Sequence, residues 1–262
     1  YYGSGWCRNI VYPLLGFDQM IFKDDFAAPK KIRNYISDES AFQKIIELYE
    51  EKGAGEKLFT FEVTMQNHGG YSKDVEDFNE SIYLTDEMNQ GTQVRAAEKY
   101  LTLIRESDQA FKELVEYFEK QQEPTIILMF GDHQPSDYIT NVILRELGLD
   151  RDTDDDVYYN NYIVPYIMWS NYDMDTTQVE NVSLNYLGGM LMEKAGIGLT
   201  GYQQFLKEMQ KDFPAITANM IMNADGSRVA EKDVQSEWIE NYHKLVYNHL
   251  CDKKDKLTQF YE

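Results

Sequence analysis

Four histidines occur in this chain of 262 residues, and two of them stand just past the ends of predicted strands, where open α/β sheets gather their functional residues. One lies in Gly131-Asp132-His133-Gln134-Pro135, directly after the apolar run Thr125 to Phe130. A carboxylate beside an imidazole suits a divalent ion of intermediate softness, such as manganese or zinc. The plainer alternative makes Asp132 a cap for the next turn and His133 a loop residue. A working metal site needs further ligands; Glu62 and Thr64 are in-chain options, although both fall along a predicted strand face.

The other histidine lies in Asn67-His68-Gly69-Gly70. Glycines let a backbone approach a ligand closely, and His68 can donate to a phosphoryl oxygen or move a proton. A turn with a solvated histidine is the alternative. Near the start, Trp6 and Arg8 are two residues apart. In an extended segment they project to one side, so Arg8 can grip a phosphate or sulfate in bidentate fashion while Trp6 packs on an alcohol. Two residues alone are a weak signal, and an ordinary surface arginine beside a core tryptophan is the favoured reading of them. The run Asp150 to Asp156 has five further carboxylates and an arginine in the manner of a calcium loop, but its sixth position is not glycine and its twelfth is Asn161, which excludes a tight calcium site. His243 and His249, six apart on one helix, share no face and receive no role. Cys7 and Cys251 show no zinc spacing and are expected as separate thiols, although an oxidising compartment would allow them to pair.

These residues need a scaffold, and the pattern supplies one. A helix capped by Ser37 or Asp38 runs to about Gly53, with Phe42, Ile45, Ile46 and Tyr49 on one face. Leu58 to Met65 alternates as a strand. Thr92 to Gln122 reads as a long helix, and Thr125 to Phe130 as a central strand buried on both faces. A helix over Asp137 to Leu147 follows, then a strand over Tyr162 to Trp169 in which Pro165 marks an edge or a bulge. Helices over Ser183 to Ala195, Tyr202 to Lys211 and Asp233 to Leu250 complete the chain. Strands separated by helices indicate an α/β sheet with layered helices, read as one domain with a helical tail from about 200 to 262.

Composition narrows the partners. With 25 Lys+Arg against 45 Asp+Glu the net charge is −20, which argues against nucleic acid and against broad contact with an anionic membrane. Apolar residues at 43% and aromatics at 14% exclude a disordered acidic tail. No run is long enough to span a membrane, and none reads as a signal peptide.

Taken together, several stretches resemble the extracellular domain of lipoteichoic acid synthase-type phosphoglycerol transferases, in the sulfatase branch of the alkaline phosphatase superfamily. They are Tyr1 to Asn9, Tyr12 to Asp18, Val63 to Tyr71, Tyr100 to Asp108, Met129 to Pro135 and Pro165 to Asp173, with a tyrosine, Tyr247, in the closing amphipathic segment. Gln66-Asn67-His68-Gly69 and Gly131-Asp132-His133-Gln134-Pro135, in that order, are the most specific.

The resemblance implies an α/β/α sandwich of the alkaline phosphatase type, here lacking its N-terminal part. It implies a divalent metal, manganese foremost with magnesium or zinc as alternatives, held by a glutamate, a threonine nucleophile and residues matching Asp132 and His133. Trp6, Arg8 and His68 match the pocket for a glycerol phosphate headgroup. The implied reaction takes glycerol phosphate from phosphatidylglycerol, through a glycerophosphoryl-threonine, to a cell-envelope polymer or glycolipid, on the extracellular face of a membrane that anchors the parent protein. Cys7 departs from the family's usual asparagine. The family's glutamate ligand and threonine precede its Trp-x-Arg motif, so both are expected upstream of this chain, which alone is expected to be inactive. A sulfatase or phosphodiesterase that hands its ester to water, or a non-catalytic module that binds anionic polymers, are the alternatives. No Cys-x-Pro-x-Arg sulfatase nucleophile occurs in the chain.

Overall fold

A computed structural model describes residues 2–71, 78–85, 91–150, 153, 155–176, 178–217 and 219–262. The acidic run considered as a calcium loop lies in part outside them. The chain divides into two compact units, Tyr1–Glu123 with Met129–Tyr166, and Pro124–Leu128 with Ile167–Glu262.

The first unit is organised by three helices. After a short turn at Gly5–Cys7 comes α1 (Arg8–Leu14), then the hairpin β1 (Lys31–Ile32) and β2 (Tyr35–Ile36), α2 (Asp38–Glu51), α3 (Thr92–Phe118), α4 (Asp137–Glu146) and α5 (Asp155–Asn160). Ser37, not Asp38, caps α2, its side chain accepting from the Ser40 amide. The 27-residue α3 buries a wide arc rather than one stripe because two helices cover it. Its first half joins Ile139 and Val142 of α4 in a core with Ile32, Tyr71, Val94, Ala97 and Leu103. Its second half takes α2, where the ring pairs Phe42–Phe111 and Tyr49–Phe118 lie 6.4 and 5.1 Å apart. Both pairs are 69 positions apart in sequence, so α2 and α3 run in the same direction in constant register. Leu103 and Ile139 are fully buried, each stabilising the unit by about 1.5–3 kcal/mol relative to exposure.

Two strands, β3 (Ile126–Phe130) and β4 (Tyr166–Ser170), pair in a two-stranded sheet. Strand β4 starts directly after Pro165, which has no amide proton to give a ladder. The expectation that β3 is buried on both faces does not hold: its residues are half-buried and Phe130 is exposed.

Leu58 to Met65 also departs from expectation. It is not part of any sheet among the described residues, and Leu58, Phe59 and Phe61 are exposed. The alternating pattern makes the segment strand-competent, but a strand also needs a partner edge. Phe59 and Phe61 instead gather with Tyr12 and Phe17, at ring separations of 5.5 to 6.4 Å.

In the second unit, α6 (Leu184–Lys194), α7 (Gly201–Asp212), β5 (Ala215–Ile216), β6 (Met220–Met222), β7 (Arg228–Ala230), α8 (Glu237–Leu250) and α9 (Thr258–Tyr261) follow in order. The tail expected to be helical contains this antiparallel sheet β5-β6-β7. Strands of two or three residues are too short for a periodicity to register. The central β6 is wholly buried, and Ile221 packs with Tyr186, Leu206, Met209, Phe213 and Ile239. No described helix is long and apolar enough to cross a membrane. Cys7 and Cys251 are free and exposed.

Candidate functional site

The strand-end histidine is held in a defined orientation. Gly131 continues the pairing of β3, its amide donating to the Pro165 carbonyl at 3.1 Å. A side chain there would bring a Cβ to 3.1 Å from Val164 Cβ, so glycine is what lets the two backbones approach. Past it, the Asp132 carboxylate accepts from the His133 amide at 2.8 Å. His133 Nδ1 lies 2.7 Å from the Gln134 carbonyl. A carbonyl oxygen only accepts, so Nδ1 donates in this contact and Nε2 is the ring nitrogen left for another partner. That Nε2 is 3.4 Å from Asp132 Oδ2, with both side chains largely exposed.

A proton on Nε2 makes the two an ion pair, and a divalent cation between them makes them ligands, since a carboxylate and an imidazole are donors such an ion takes. Among the described residues no group of three or more His, Cys, Asp or Glu is placed to hold an ion. Asp132 and His133 therefore fit a divalent metal as two of its ligands and do not complete its shell.

The second histidine sits in a loop tied down from several sides. The His68 amide donates to Met65 O at 3.1 Å, closing the turn predicted here, and Gly70 follows with a φ of 102°. Gln66 is buried: its Oε1 accepts from the Asp38 amide at 3.0 Å, and its Nε2 donates to Leu103 O at 3.3 Å and Ser107 Oγ at 3.2 Å. Asn67 Nδ2 also donates to Ser107 Oγ, at 2.8 Å. With both lone pairs taken, the Ser107 hydroxyl gives its one proton to Asp38 Oδ2 at 2.5 Å. Asp38 and Ser107 are again 69 apart, so the α2–α3 register that packs the aromatics also builds this network. Burial raises the Asp38 carboxyl above its ordinary range, against the hydrogen bonds from Ser107, the Gln66 backbone and Thr64.

Glu62, placed on a strand face by the alternating pattern, has an environment that pattern does not foretell. Its surface is open to solvent, yet enough protein surrounds it that lost hydration raises its pKa to about 7, with Asp38 adding to the rise and Arg8 opposing it.

Trp6 and Arg8 do not lie in an extended segment. Trp6 and Cys7 both have left-handed backbones, with φ of 55° and 54°, and Arg8 opens α1. The two side chains therefore leave a tight turn rather than alternate along a strand. Left-handed non-glycine residues in succession are strained, and strain of this kind clusters at functional sites. Trp6 is 87% exposed, so it is no core tryptophan. Among the described residues, the hydrogen bonds and ion pair given for Asp132 and His133 are with each other and with the Gln134 carbonyl. Asp38, Gln66 and Ser107, which build this network, carry no signal in their own sequence windows, although Gln66 and Ser107 lie in stretches that carry the resemblance. His243 contacts Glu231 at 3.5 Å and His249 stacks by Tyr261 at 4.2 Å, both within the second unit.

Comparison with known proteins follows the same lines. A Rhizobium meliloti (strain 1021) protein, provisionally named a cyclic beta-1,2-glucan modification protein, is 26% identical over 266 residues, covering 99% of this chain and 41% of its own length. A second protein of that strain, capsular polysaccharide biosynthesis protein RkpI, is 27% identical over 129 residues, covering 49% of this chain and 21% of its own. Among solved structures, Streptococcus pyogenes phosphoglycerol transferase GacH in complex with sn-glycerol-1-phosphate superposes with a TM-score of 0.67 at 20% identity, covering 99% of this chain and 62% of that one. The chain thus spans under half the length of these curated relatives. Its α/β fold is of the sulfatase and alkaline phosphatase type. The sulfatase family profile matches residues 1–197, three quarters of the chain, and the protein belongs to the sulfatase family.

Proposed function

We propose that this chain is part of a metal-dependent phosphoglycerol transferase, working on the outer face of a cell membrane, that moves glycerol phosphate from phosphatidylglycerol to a cell-envelope glycan or glycolipid. The observation that carries it is the Asp132–His133 pair, with Nδ1 tied to a carbonyl and Nε2 turned toward a carboxylate at a strand end. Support for the donor comes from GacH, a phosphoglycerol transferase bound to sn-glycerol-1-phosphate. Support for a glycan acceptor comes from the rhizobial relatives, whose names concern a cyclic glucan and a capsular polysaccharide.

Asp132 and His133 would hold the ion, manganese foremost, with ligands from outside these 262 residues; the ion supplies Lewis-acid polarisation of the phosphodiester. The remaining roles belong to side chains. A threonine Oγ, supplied from outside the chain, attacks phosphorus; the P–O bond to diacylglycerol breaks, and the departing alkoxide takes a proton. An acceptor hydroxyl then attacks the same phosphorus and the threonine leaves. Arg8 and His68 donate to the phosphoryl oxygens as charge builds on them, and Trp6 covers the glycerol.

Manganese titration of this chain against Asp132→Ala and His133→Ala tests the metal half. Weaker binding in both variants is expected, and identical affinity in all three refutes the assignment. In a protein that includes the upstream sequence, diacylglycerol release from labelled phosphatidylglycerol should fall at least about a hundredfold in Arg8→Ala and His68→Ala. Undiminished turnover removes both from the site, and release of glycerol phosphate to water without an acceptor identifies a hydrolase instead.

A further inference from the structure

The hairpin before α2 reaches the His68 loop with both of its informative side chains. Ile32 pairs with Tyr35, so only Arg33 and Asn34 turn the chain, with φ of 53° and 70°. Two left-handed residues in a two-residue loop are the geometry whose hand matches strand twist. Asparagine adopts it readily; arginine does so at a cost. What occupies that strained position is a buried guanidinium. Its Nη2 donates to the carbonyls of His68 and Gly69, each at 3.4 Å, and its Cζ lies 4.5 Å from the Tyr71 ring centroid, a cation–π contact. Two residues on, the Tyr35 hydroxyl is 3.3 Å from His68 Nδ1.

We propose that Tyr35 and Arg33 are positioning residues for His68: Tyr35 donates its hydroxyl proton to Nδ1, so that Nε2 bears the imidazole proton, while Arg33 clamps the successive loop carbonyls of His68 and Gly69. This deepens the proposed function and rests on its placing of His68 against a phosphoryl oxygen. The phenol has one proton, and Nδ1 is the side-chain acceptor it reaches among the described residues. With Nδ1 so engaged, Nε2–H is the donor left for an anionic oxygen. The opposite tautomer would aim the imidazole proton at Tyr35 and present a lone pair to the phosphate, which repels it. The strain at Arg33 is then offset by the two carbonyl bonds and the ring contact, and the hairpin serves as a brace behind the loop.

Nitrogen-15 spectra of the chain, labelled at histidine and recorded where imidazoles are neutral, read the tautomer directly; His68→Ala assigns the resonances. Wild type should show one acceptor-type Nδ1 and one protonated Nε2, and in Tyr35→Phe both should move toward averaged positions. Arg33→Lys keeps the charge but not the fork, and should broaden the His68 signals by freeing the loop. Unmoved resonances in Tyr35→Phe overturn the proposal, whatever His68 does. In the longer protein, Tyr35→Phe should lower kcat by about tenfold with KM for the lipid little changed, and unchanged kcat also overturns it. If the tautomer shifts as expected while His68→Ala retains full turnover, the positioning stands and the functional reading fails.

Discussion

Ser107→Ala should destabilise the first unit, and by an amount that depends on pH. The Ser107 hydroxyl gives its proton to Asp38 Oδ2 at 2.5 Å and accepts from Gln66 and Asn67 at 3.2 and 2.8 Å. Removing it deprives a buried carboxylate of a donor, a loss of about 1.5–3 kcal/mol for a bond to a charged group. Gln66 Nε2 keeps the Leu103 carbonyl, but Asn67 Nδ2 loses its acceptor while its Oδ1 is already without a partner. An unsatisfied amide costs about 1–3 kcal/mol. Allowing for relaxation and the entry of water, the expected destabilisation is about 3 kcal/mol near pH 8.

Asp38 can escape part of that cost by taking up a proton. Its carboxyl is already raised by burial, and losing the Ser107 donor raises it further, so the folded variant binds a proton more readily than its unfolded chain does. Stability of the variant relative to wild type therefore recovers as the pH falls, and the gap should be smaller near pH 5 than near pH 8. Urea unfolding followed through exchange of the α2 and α3 amides isolates this unit from the other. Asp38→Asn combined with Ser107→Ala should cost less than the sum of the two single changes, because the neutral amide no longer needs the lost donor. A destabilisation below about 1 kcal/mol, flat between the two pH values, would refute the reasoning.

Three further outcomes follow from other parts of the fold. Because the folded state holds Glu62 protonated to about pH 7, its contribution is present below the ordinary carboxyl range and lost as pH rises to about 7; Glu62→Gln should flatten that decline in a melting-temperature series, and parallel curves would contradict it. Thr200 and Gln203 form a reciprocal cap on α7, at 3.3 and 3.1 Å, so Thr200→Ala should destabilise the second unit by about 1 kcal/mol, measurable by urea unfolding. Residues 59 to 64 belong to no sheet ladder among the described residues, so their amides should exchange far faster than those of α3; equal protection would show that the segment is paired.

The contrast between α2 and the Leu58 to Met65 segment explains what a sequence can tell about this fold. Helix α2 closes its own hydrogen bonds, and its stripe of Phe42, Ile46 and Tyr49 is legible at a spacing of three and four. Leu58 to Met65 carries an equally clear alternation, but the partner edge of a strand can come from anywhere in a protein, and here none among the described residues takes that place. Strands β5 to β7 failed to register for the reverse reason: each is too short to have a pattern, and the sheet exists because Ile221 and its neighbours are buried in the middle of it.

Legibility of the site divides along the same line. Asp132 and His133 are adjacent in the chain, and strand end plus glycine suffices to find them. The network behind His68 is built from Asp38, Gln66 and Ser107, each an unremarkable polar residue in its own window. Asp38 even read as an alternative cap for α2; Ser37 takes that role and leaves the Asp38 carboxylate to turn inward. What brings Asp38 onto Ser107 is the register that also stacks Phe42 on Phe111 and Tyr49 on Phe118. The apolar stripes are visible one helix at a time, but their relative offset is not, because many offsets bury similar area. A buried carboxylate with one matching hydroxyl discriminates among them: a shift by one helical turn would leave Asp38 facing an apolar position of α3 with no donor, a cost of several kcal/mol. The polar network that braces the His68 loop therefore also selects the helix register that produces it, which is why disrupting Ser107 should be felt in the packing of α2 as well as at the loop.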